Sequence, residues 1–354
     1  MLQLSDREWK EFYIGGEKGV FIISSGKRLT TADMDSGSIP FIGATDSNNG
    51  ITNYVKTVNN TLDQNVLGVN YNGSVAETFY HPYKCIFSDD VKRLHIKNGI
   101  ENRYVYLFLA TIIKLQKVKF TYGYKFNANR MNRQIILLPV NENEEPDYDF
   151  MEAFIKEREE IKRKEYLEYA NRKIMEIRGG GGTTLTAIKE VAWREFFIKD
   201  VFTKIQRGKR LIRENQTDGT TPYISSSALN NGVDNFIGNT DGVRRFNNCL
   251  SLANSGSVGS CFYEPFEFIA SDHITHLKND NLNEYQYLFI AAMLNRLSEK
   301  YNFNREINDM RISREKVLLP IDEKGEPHWI LMENYMRNCI ARKYQDYVSF
   351  KSGA

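Results

Sequence analysis

The chain carries most of its sequence twice. "WKEFYI" at 9–14 returns as "WREFFI" at 193–198, and "SGKRL" at 25–29 as "RGKRL" at 207–211. "IPFIGATDSNNGITNY" at 39–54 pairs with "TPYISSSALNNGVDNF" at 221–236. "VNYNGSVAETFYHP" at 69–82 pairs with "LANSGSVGSCFYEP" at 252–265, with six of 14 positions identical. "IFSDD" at 86–90 pairs with "IASDH" at 269–273, and "NRMNRQIILLPVNENEEP" at 129–146 with "MRISREKVLLPIDEKGEP" at 310–327. Trp9 and Trp193 stand 184 residues apart, Asn129 and Met310 181, so the register never drifts far. A duplication of this kind predicts two like domains, each with its own core.

Within each copy, short apolar runs such as "GVFIIS", "CIFSDDVKRLHI" and "QIILLPV" lie between N-G, G-S and S-D turn signals, a β-rich pattern. One helix is predicted inside each copy, at 102–116 and 283–300. A longer helix follows each. Residues 147–178 contain no Gly or Pro, and Phe150, Phe154, Ile161, Leu167, Ile174 and Ile177 recur at helical spacing. That stretch suits a coiled-coil arm of roughly 45 Å. Residues 328–351 place Leu331, Met332, Tyr335, Met336, Cys339 and Ile340 on one face. "GGGGTTLT", 179–186, reads as a flexible linker, since it does not join a strand to a helix as a phosphate-binding loop would. The expected organisation is a domain at 1–146, a spacer helix at 147–178, the linker, a domain at 187–327 and a spacer helix at 328–351.

The bulk properties exclude several classes. No stretch is apolar enough to span a membrane, and the charged "MLQLSDREWKEF" start is unlike a signal peptide, so a cytoplasmic location is expected. Cys85, Cys249, Cys261 and Cys339 are scattered singly, against a zinc site or a disulfide framework. His273 and His276 form an H-x-x-H pair, but their counterparts are Asp90 and Arg93, and exposed or strand-edge histidines account for them better than a metal. No nucleophile–base pair recurs in both copies and no Walker motif is present. A site duplicated for catalysis should keep its chemical groups twice, and these do not. No catalytic, cofactor or metal site is therefore expected in this chain.

Two places carry the functional reading. In the Gly-Ser stretch, Gly73/Gly256, Ser74/Ser257, Val75/Val258 and Pro82/Pro265 are kept, whereas Asn70, Tyr71 and Asn72 become Ala253, Asn254 and Ser255. The kept pair reads as a turn needing backbone freedom, with its polar neighbours Asn70, Asn72, Asn254 and Ser255 as candidate ligand contacts. In "KVKFTYGYKFNANRMNR", 117–133, Phe120, Tyr122, Tyr124 and Phe126 alternate with polar residues, and Arg130 and Arg133 return as Arg311 and Arg314. Interleaved aromatics, Asn and basic residues fit a nucleic-acid face, with Tyr122, Tyr124, Lys125, Asn129, Arg130, Arg133, Asn302, Asn304, Arg305, Arg311 and Arg314 as contacts. A half-buried strand with a basic edge is the competing reading. Polar positions of the other repeated motifs complete the candidate face: Lys27, Arg28, Thr45 and Asn48 in the first copy, Lys209, Arg210, Ser226, Ser227, Arg244 and Arg245 in the second.

In this order, twice, and with a helix after each copy, the motifs resemble the DNA-specificity (S) subunits of type I and type IIB (BcgI-like) restriction–modification systems. The resemblance covers essentially the whole chain. It implies an α+β (α/β) fold with two tandem target-recognition domains, each with a curved β-sheet. The domains would be related by a pseudo-twofold, and the long helices would form an antiparallel coiled coil. Each domain would read one half of a bipartite site on double-stranded DNA, with half-sites about 10 bp apart. The readers differ, so the site would be asymmetric. Chemistry is implied for the partners. Modification (methyltransferase) subunits would bind S-adenosylmethionine and methylate a flipped adenine. A fused or separate nuclease would use Mg, and ATP if the system is of type I. The net charge of only +2 fits partners that supply part of the phosphate contact. A self-contained restriction enzyme, or a duplicated β-rich binding protein with no DNA role, stays open on the residues alone.

Overall fold

A computed structural model describes residues 1–120, 123–179, 188–302 and 304–352. The chain divides into two compact units, Met1–Glu165 and Tyr166–Ala354.

The first unit contains β1 (Trp9–Tyr13), β2 (Phe21–Ser25), β3 (Ser36–Ile42), β4 (Ile51–Val55), β5 (Val66–Asn70), β6 (Thr78–His81), β7 (Ile86–Phe87) and β8 (Val91–Ile96). Helix α1 (Arg103–Lys114), the short α2 (Ala128–Arg133), β9 (Ile135–Pro139) and the start of α3 (Tyr148–Gly179) follow. The second unit repeats this plan with β10 (Trp193–Phe197), α4 (Ile198–Val201), β11 (Lys204–Arg207), β12 (Asp218–Ile224), β13 (Val233–Ile237), β14 (Arg245–Phe246), β15 (Cys249–Ala253), β16 (Cys261–Glu264), β17 (Phe268–Ala270) and β18 (Ile274–Lys278). It closes with α5 (Glu284–Leu294), α6 (Asp309–Arg314), β19 (Lys316–Pro320) and α7 (Trp329–Ser352).

Each unit pairs its strands the same way. A four-stranded antiparallel sheet runs β2-β8-β5-β6 in the first unit and β11-β18-β15-β16 in the second. A second sheet, β4-β3-β7, becomes β13-β12-β17-β14, and β1 pairs with β9 as β10 does with β19. The extra strand β14 corresponds to a single bridge, Asp63 to Cys85, in the first unit.

The helices form where the side chains cap them. Asn102 accepts from the Tyr104 and Val105 amides to start α1, and Asn283 does the same for Tyr285 and Gln286 at α5. Tyr106 and Tyr287 are the largest fully buried side chains, and each stacks on a tyrosine of the neighbouring strand: Tyr80 at 5.2 Å, Tyr263 at 5.3 Å.

The unit boundary falls inside α3 and not at the glycine run. The second half of α3 meets α7 through Tyr166 with Tyr347 (4.4 Å) and Tyr169 with Tyr344 (6.0 Å), with Ala170 and Ile174 buried. Those ring contacts tie residues 166–179 to the second unit. The expected linker lies almost wholly outside the described residues: Gly179 is the last residue of α3, and 180–186 are not described.

Candidate nucleic-acid interface

Three loops in each unit carry most of the candidate residues, and backbone geometry explains why their motifs recur. The first is the tip of the β3–β4 hairpin. Asn48, Asn49 and Gly50 all have positive φ (50°, 52°, 75°), and Asn230, Asn231 and Gly232 repeat this at 51°, 52° and 77°. Asparagine tolerates the left-handed region better than other residues with a side chain, and glycine enters it freely. Three in succession turn the hairpin sharply and leave both asparagines exposed. The residues leading into the turn differ: Thr45-Asp46-Ser47 in the first unit, Ser227-Ala228-Leu229 in the second. The Thr45 and Ser47 hydroxyls lie 3.0 Å apart, whereas Leu229 is 72% exposed.

The second loop is the Gly-Ser turn, which docks on that tip. The Ser74 amide donates to the Ala44 carbonyl at 3.2 Å, and the Ser257 amide to Ser226 at 3.0 Å. Gly73 and Gly256 sit at φ +59° and +62°, and a Cβ there would lie 2.4 Å from the Ala44 oxygen or the Ser226 Oγ. The turn is a brace under the tip.

Its polar neighbours are braces too, which corrects the expectation that they face a ligand. Asn70 is buried and donates to the Thr45 carbonyl at 2.9 Å. Asn254 is 0% exposed: it accepts from Arg207 (3.0 Å) and donates to Thr275 (3.1 Å). Ser255 is buried against Glu306 at 2.5 Å, and the half-buried Asn72 donates to Asp90 at 2.9 Å.

The third loop leads into α2 or α6. Among the described residues of this loop no extended strand forms, contrary to the alternating pattern. Residues Leu115–Lys119 make a 3-10 turn, and Asn127 caps α2 by accepting from the Arg130 amide, as Asn308 does for Arg311. Phe120 and Phe126 stack at 4.2 Å inside the core. Tyr124 stays half outside, lying on Phe120 with the Arg130 guanidinium 3.8 Å above it. Tyr122 lies outside the described residues.

Arg130 also donates to the Lys125 carbonyl (2.6 Å) and Arg311 to the Glu306 carbonyl, so part of their recurrence is structural. Arg133 donates to the Asn129 carbonyl at 3.3 Å and stays exposed. Arg305 lies over the Tyr301 ring at 5.3 Å, while Asn302 accepts from the Asn304 amide. Arg314 is exposed at the end of α6.

The G-K-R segments complete the surface. Gly26 and Gly208 pass so close to the Ser88 and Ser271 carbonyls that no Cβ fits (1.9 and 2.1 Å). That approach fixes the chain and leaves Lys27, Arg28, Lys209 and Arg210 exposed, with no ion-pair partner among the described residues. Arg244 is bound inward, to the Arg207 carbonyl at 2.7 Å, and Arg245 pairs with Glu267 at 2.7 Å.

His273 is exposed, as expected, and His276 and the buried cysteines are structural. His276 is buried in the interior strand β18 and stacks on Phe246 at 3.9 Å, so it is neither exposed nor at a strand edge. Burial pushes the Cys85 and Cys249 thiols up to about 12. Among the described residues no cluster of His, Cys, Asp or Glu could hold a metal ion, and no helix is long and apolar enough to cross a membrane.

Tyr54 and Phe236, equivalent aromatics not among the residues expected from the sequence, are 57% and 55% exposed on β4 and β13. The repeat alignment shows an aromatic at this place in both copies, and only the structure shows that it stays outside.

Two copies of one scaffold, each presenting a braced hairpin tip and exposed cations, match one family over nearly the whole chain. Residues 6–169, and again 190–346, match the type I restriction modification DNA specificity domain. The chain belongs to that family. A relative, the specificity subunit S.BcgI of a type II restriction enzyme from Heyndrickxia coagulans, is 59% identical over 152 residues, 43% of this chain and 44% of that protein. The match thus spans less than half of that relative's length. The crystal structure of the type I restriction–modification S subunit from M. genitalium shares the fold, with a TM-score of 0.50 over 98% of this chain and 94% of that one at 14% identity. The two matched segments are separated by residues 170–189.

Proposed function

We propose that this chain is the non-catalytic recognition subunit of a restriction–modification complex that defends against foreign DNA. In this reading residues 1–146 and 187–327 each read one half of a bipartite, asymmetric site on duplex DNA. The observation that carries it is the contrast within each repeat. The residues that shape the turns are kept (Gly73/Gly256, Asn49/Asn231, Gly50/Gly232), and the exposed residues leading into the hairpin turn are not (Asp46/Ala228, Ser47/Leu229). A constant frame with variable display suits two readers of different words.

The long helices, at 147–178 and 328–351, would form an antiparallel coiled coil that spaces two pseudo-twofold-related domains with curved sheets. The tyrosine contacts of α3 with α7 support that reading. Methyl transfer from S-adenosylmethionine and Mg-dependent cleavage would belong to partner modification and nuclease subunits. Methylome sequencing of a host carrying the system tests the proposal: a two-part asymmetric methylated motif is expected, and methylation without sequence preference refutes it.

A further inference from the structure

Below α2 in the first unit, Lys119, Phe120, Tyr124, Arg130, Arg133 and Gln134 line a cleft of about 540 Å³. Three of the six are cations, and no carboxylate lines it among the described residues. Lys119 and Arg133 are exposed and form no ion pair among the described residues, and Arg130 is pre-oriented by its stack on Tyr124. A planar guanidinium held in this way keeps donors in a fixed fork that suits phosphate oxygens.

The second unit builds the same place differently. The counterparts of those six residues are Lys300, Tyr301, Arg305, Arg311, Arg314 and Glu315. The change from Gln134 to Glu315 matters most. The buried Glu315 carboxylate accepts from Lys300 (2.7 and 2.9 Å), from the Tyr301 hydroxyl (2.5 Å) and from the Lys316 amide (3.1 Å). Gln134 instead donates to Gln116 at 3.1 Å and leaves Lys119 without an anion. Where the first unit has a cationic cleft with no internal carboxylate among the described residues, the second has an internal anion on the matching lysine.

We infer that the first unit's cleft is a binding site for a backbone phosphate of duplex DNA, and that Glu315 occupies the equivalent place in the second unit. The two readers therefore grip DNA unequally, the first through one more phosphate than the second. The inference rests on the proposed DNA-recognition function. It predicts that the grip can be moved between the units by exchanging one amide and one carboxylate.

The test measures binding of the full chain, with and without modification subunits, to duplex DNA of arbitrary sequence over a range of salt. Each phosphate contact contributes about 0.9 to the slope of log affinity against log salt. Gln134→Glu should lower the slope by about 1, Arg133→Gln should lower it similarly, and Glu315→Gln should raise it by about 1. Thermal unfolding of each variant separates loss of folding from loss of contact, and Arg133, being exposed, carries the test if either exchange unfolds a unit.

Unchanged slopes in folded variants that still bind DNA overturn the inference and leave the DNA reading intact. Absence of any salt-dependent DNA binding by the wild type overturns that reading. If inorganic phosphate stabilises the wild type but not Gln134→Glu, while the DNA slope stays the same, the cleft takes a free phosphate and the assignment to the DNA backbone fails.

Discussion

At one point beneath the Gly-Ser turn, the first unit buries Lys92, which donates to Ser25 (2.9 Å) and lies over the Tyr71 ring (4.5 Å). The corresponding residues of the second unit are Thr275, Arg207 and Asn254, and there the cation is Arg207, reaching Asn254 from the other strand. A few residues away, Asp63 holds Arg93 (2.8 Å) and His95 (3.0 Å) in the first unit, and Phe246 stacks on His276 in the second. Each group has been exchanged as a set. A buried charge or polar group needs its partners, so one member cannot change alone without a desolvation penalty. Backbone positions behave otherwise: Gly73/Gly256 and Asn49/Asn231 are kept because the chain conformation, common to both units, permits little else.

The largest test of this comparison exchanges a whole unit. Replacing residues 1–146 with another reader should change one half of the methylated site and leave the other intact. A methylome with both halves altered breaks the modular reading.

The next effect comes from one pair of equivalent positions. Burial pushes Glu264 up to about 7 and pushes His81 down to about 4. Glu264 folds neutral, so its contribution is fully present below 4.5, the ordinary value, and is lost as pH rises through about 7. His81 also folds neutral, and its contribution is present above 6.5 and lost as pH falls through about 4. Each is worth roughly 3 kcal/mol at the unfavourable end. Glu264→Gln should remove the loss that develops between pH 4.5 and about 7, and His81→Gln the loss that develops as pH falls from 6.5 to about 4. Unfolding followed across pH checks both, and slopes of the same sign would contradict the opposition.

A smaller difference is expected at the glycines. Gly73→Ala drives a Cβ into a backbone oxygen at positive φ and should cost about 2–3 kcal/mol. Gly256→Ala first meets the movable Ser226 hydroxyl and should cost less, about 1–2 kcal/mol. Chemical denaturation of the two variants compares them.

The smallest effect concerns the recurring arginines. Arg130→Ala should weaken DNA binding by about 1 kcal/mol, uniformly across sequences if the guanidinium meets phosphate, and Arg311→Ala, in the unit where Glu315 takes the place of that phosphate, by less. Competition binding with altered sites measures this, and a loss confined to one base pair would instead mark a base contact.

Much of the frame was legible from the residues. Asn102 and Asn283 mark helix starts, the alternating runs mark strands, and the uninterrupted 147–178 stretch marks α3, because capping and periodicity are local properties. The site was less legible. Asn70, Asn254 and Ser255 have the composition of a contact surface, and their burial follows from residues distant in the chain: Thr45, Arg207, Thr275 and Glu306. The aromatics at 120–126 alternate as in a strand, and only the stacking of Phe120 on Phe126 shows that these two face the core while Tyr124 stays half outside.

By itself, then, the sequence determined the duplication, the family, the turn glycines and the helices, since each is a matter of local conformation or of likeness along the chain. Which polar residues brace the loops and which are displayed was decided only by the tertiary structure. So was the ion pair of Glu315 with Lys300, at the place where the first unit has a cleft lined by Lys119 and Gln134. Burial and electrostatic pairing depend on what folding brings together, and the same residue type serves either purpose according to the neighbours it meets.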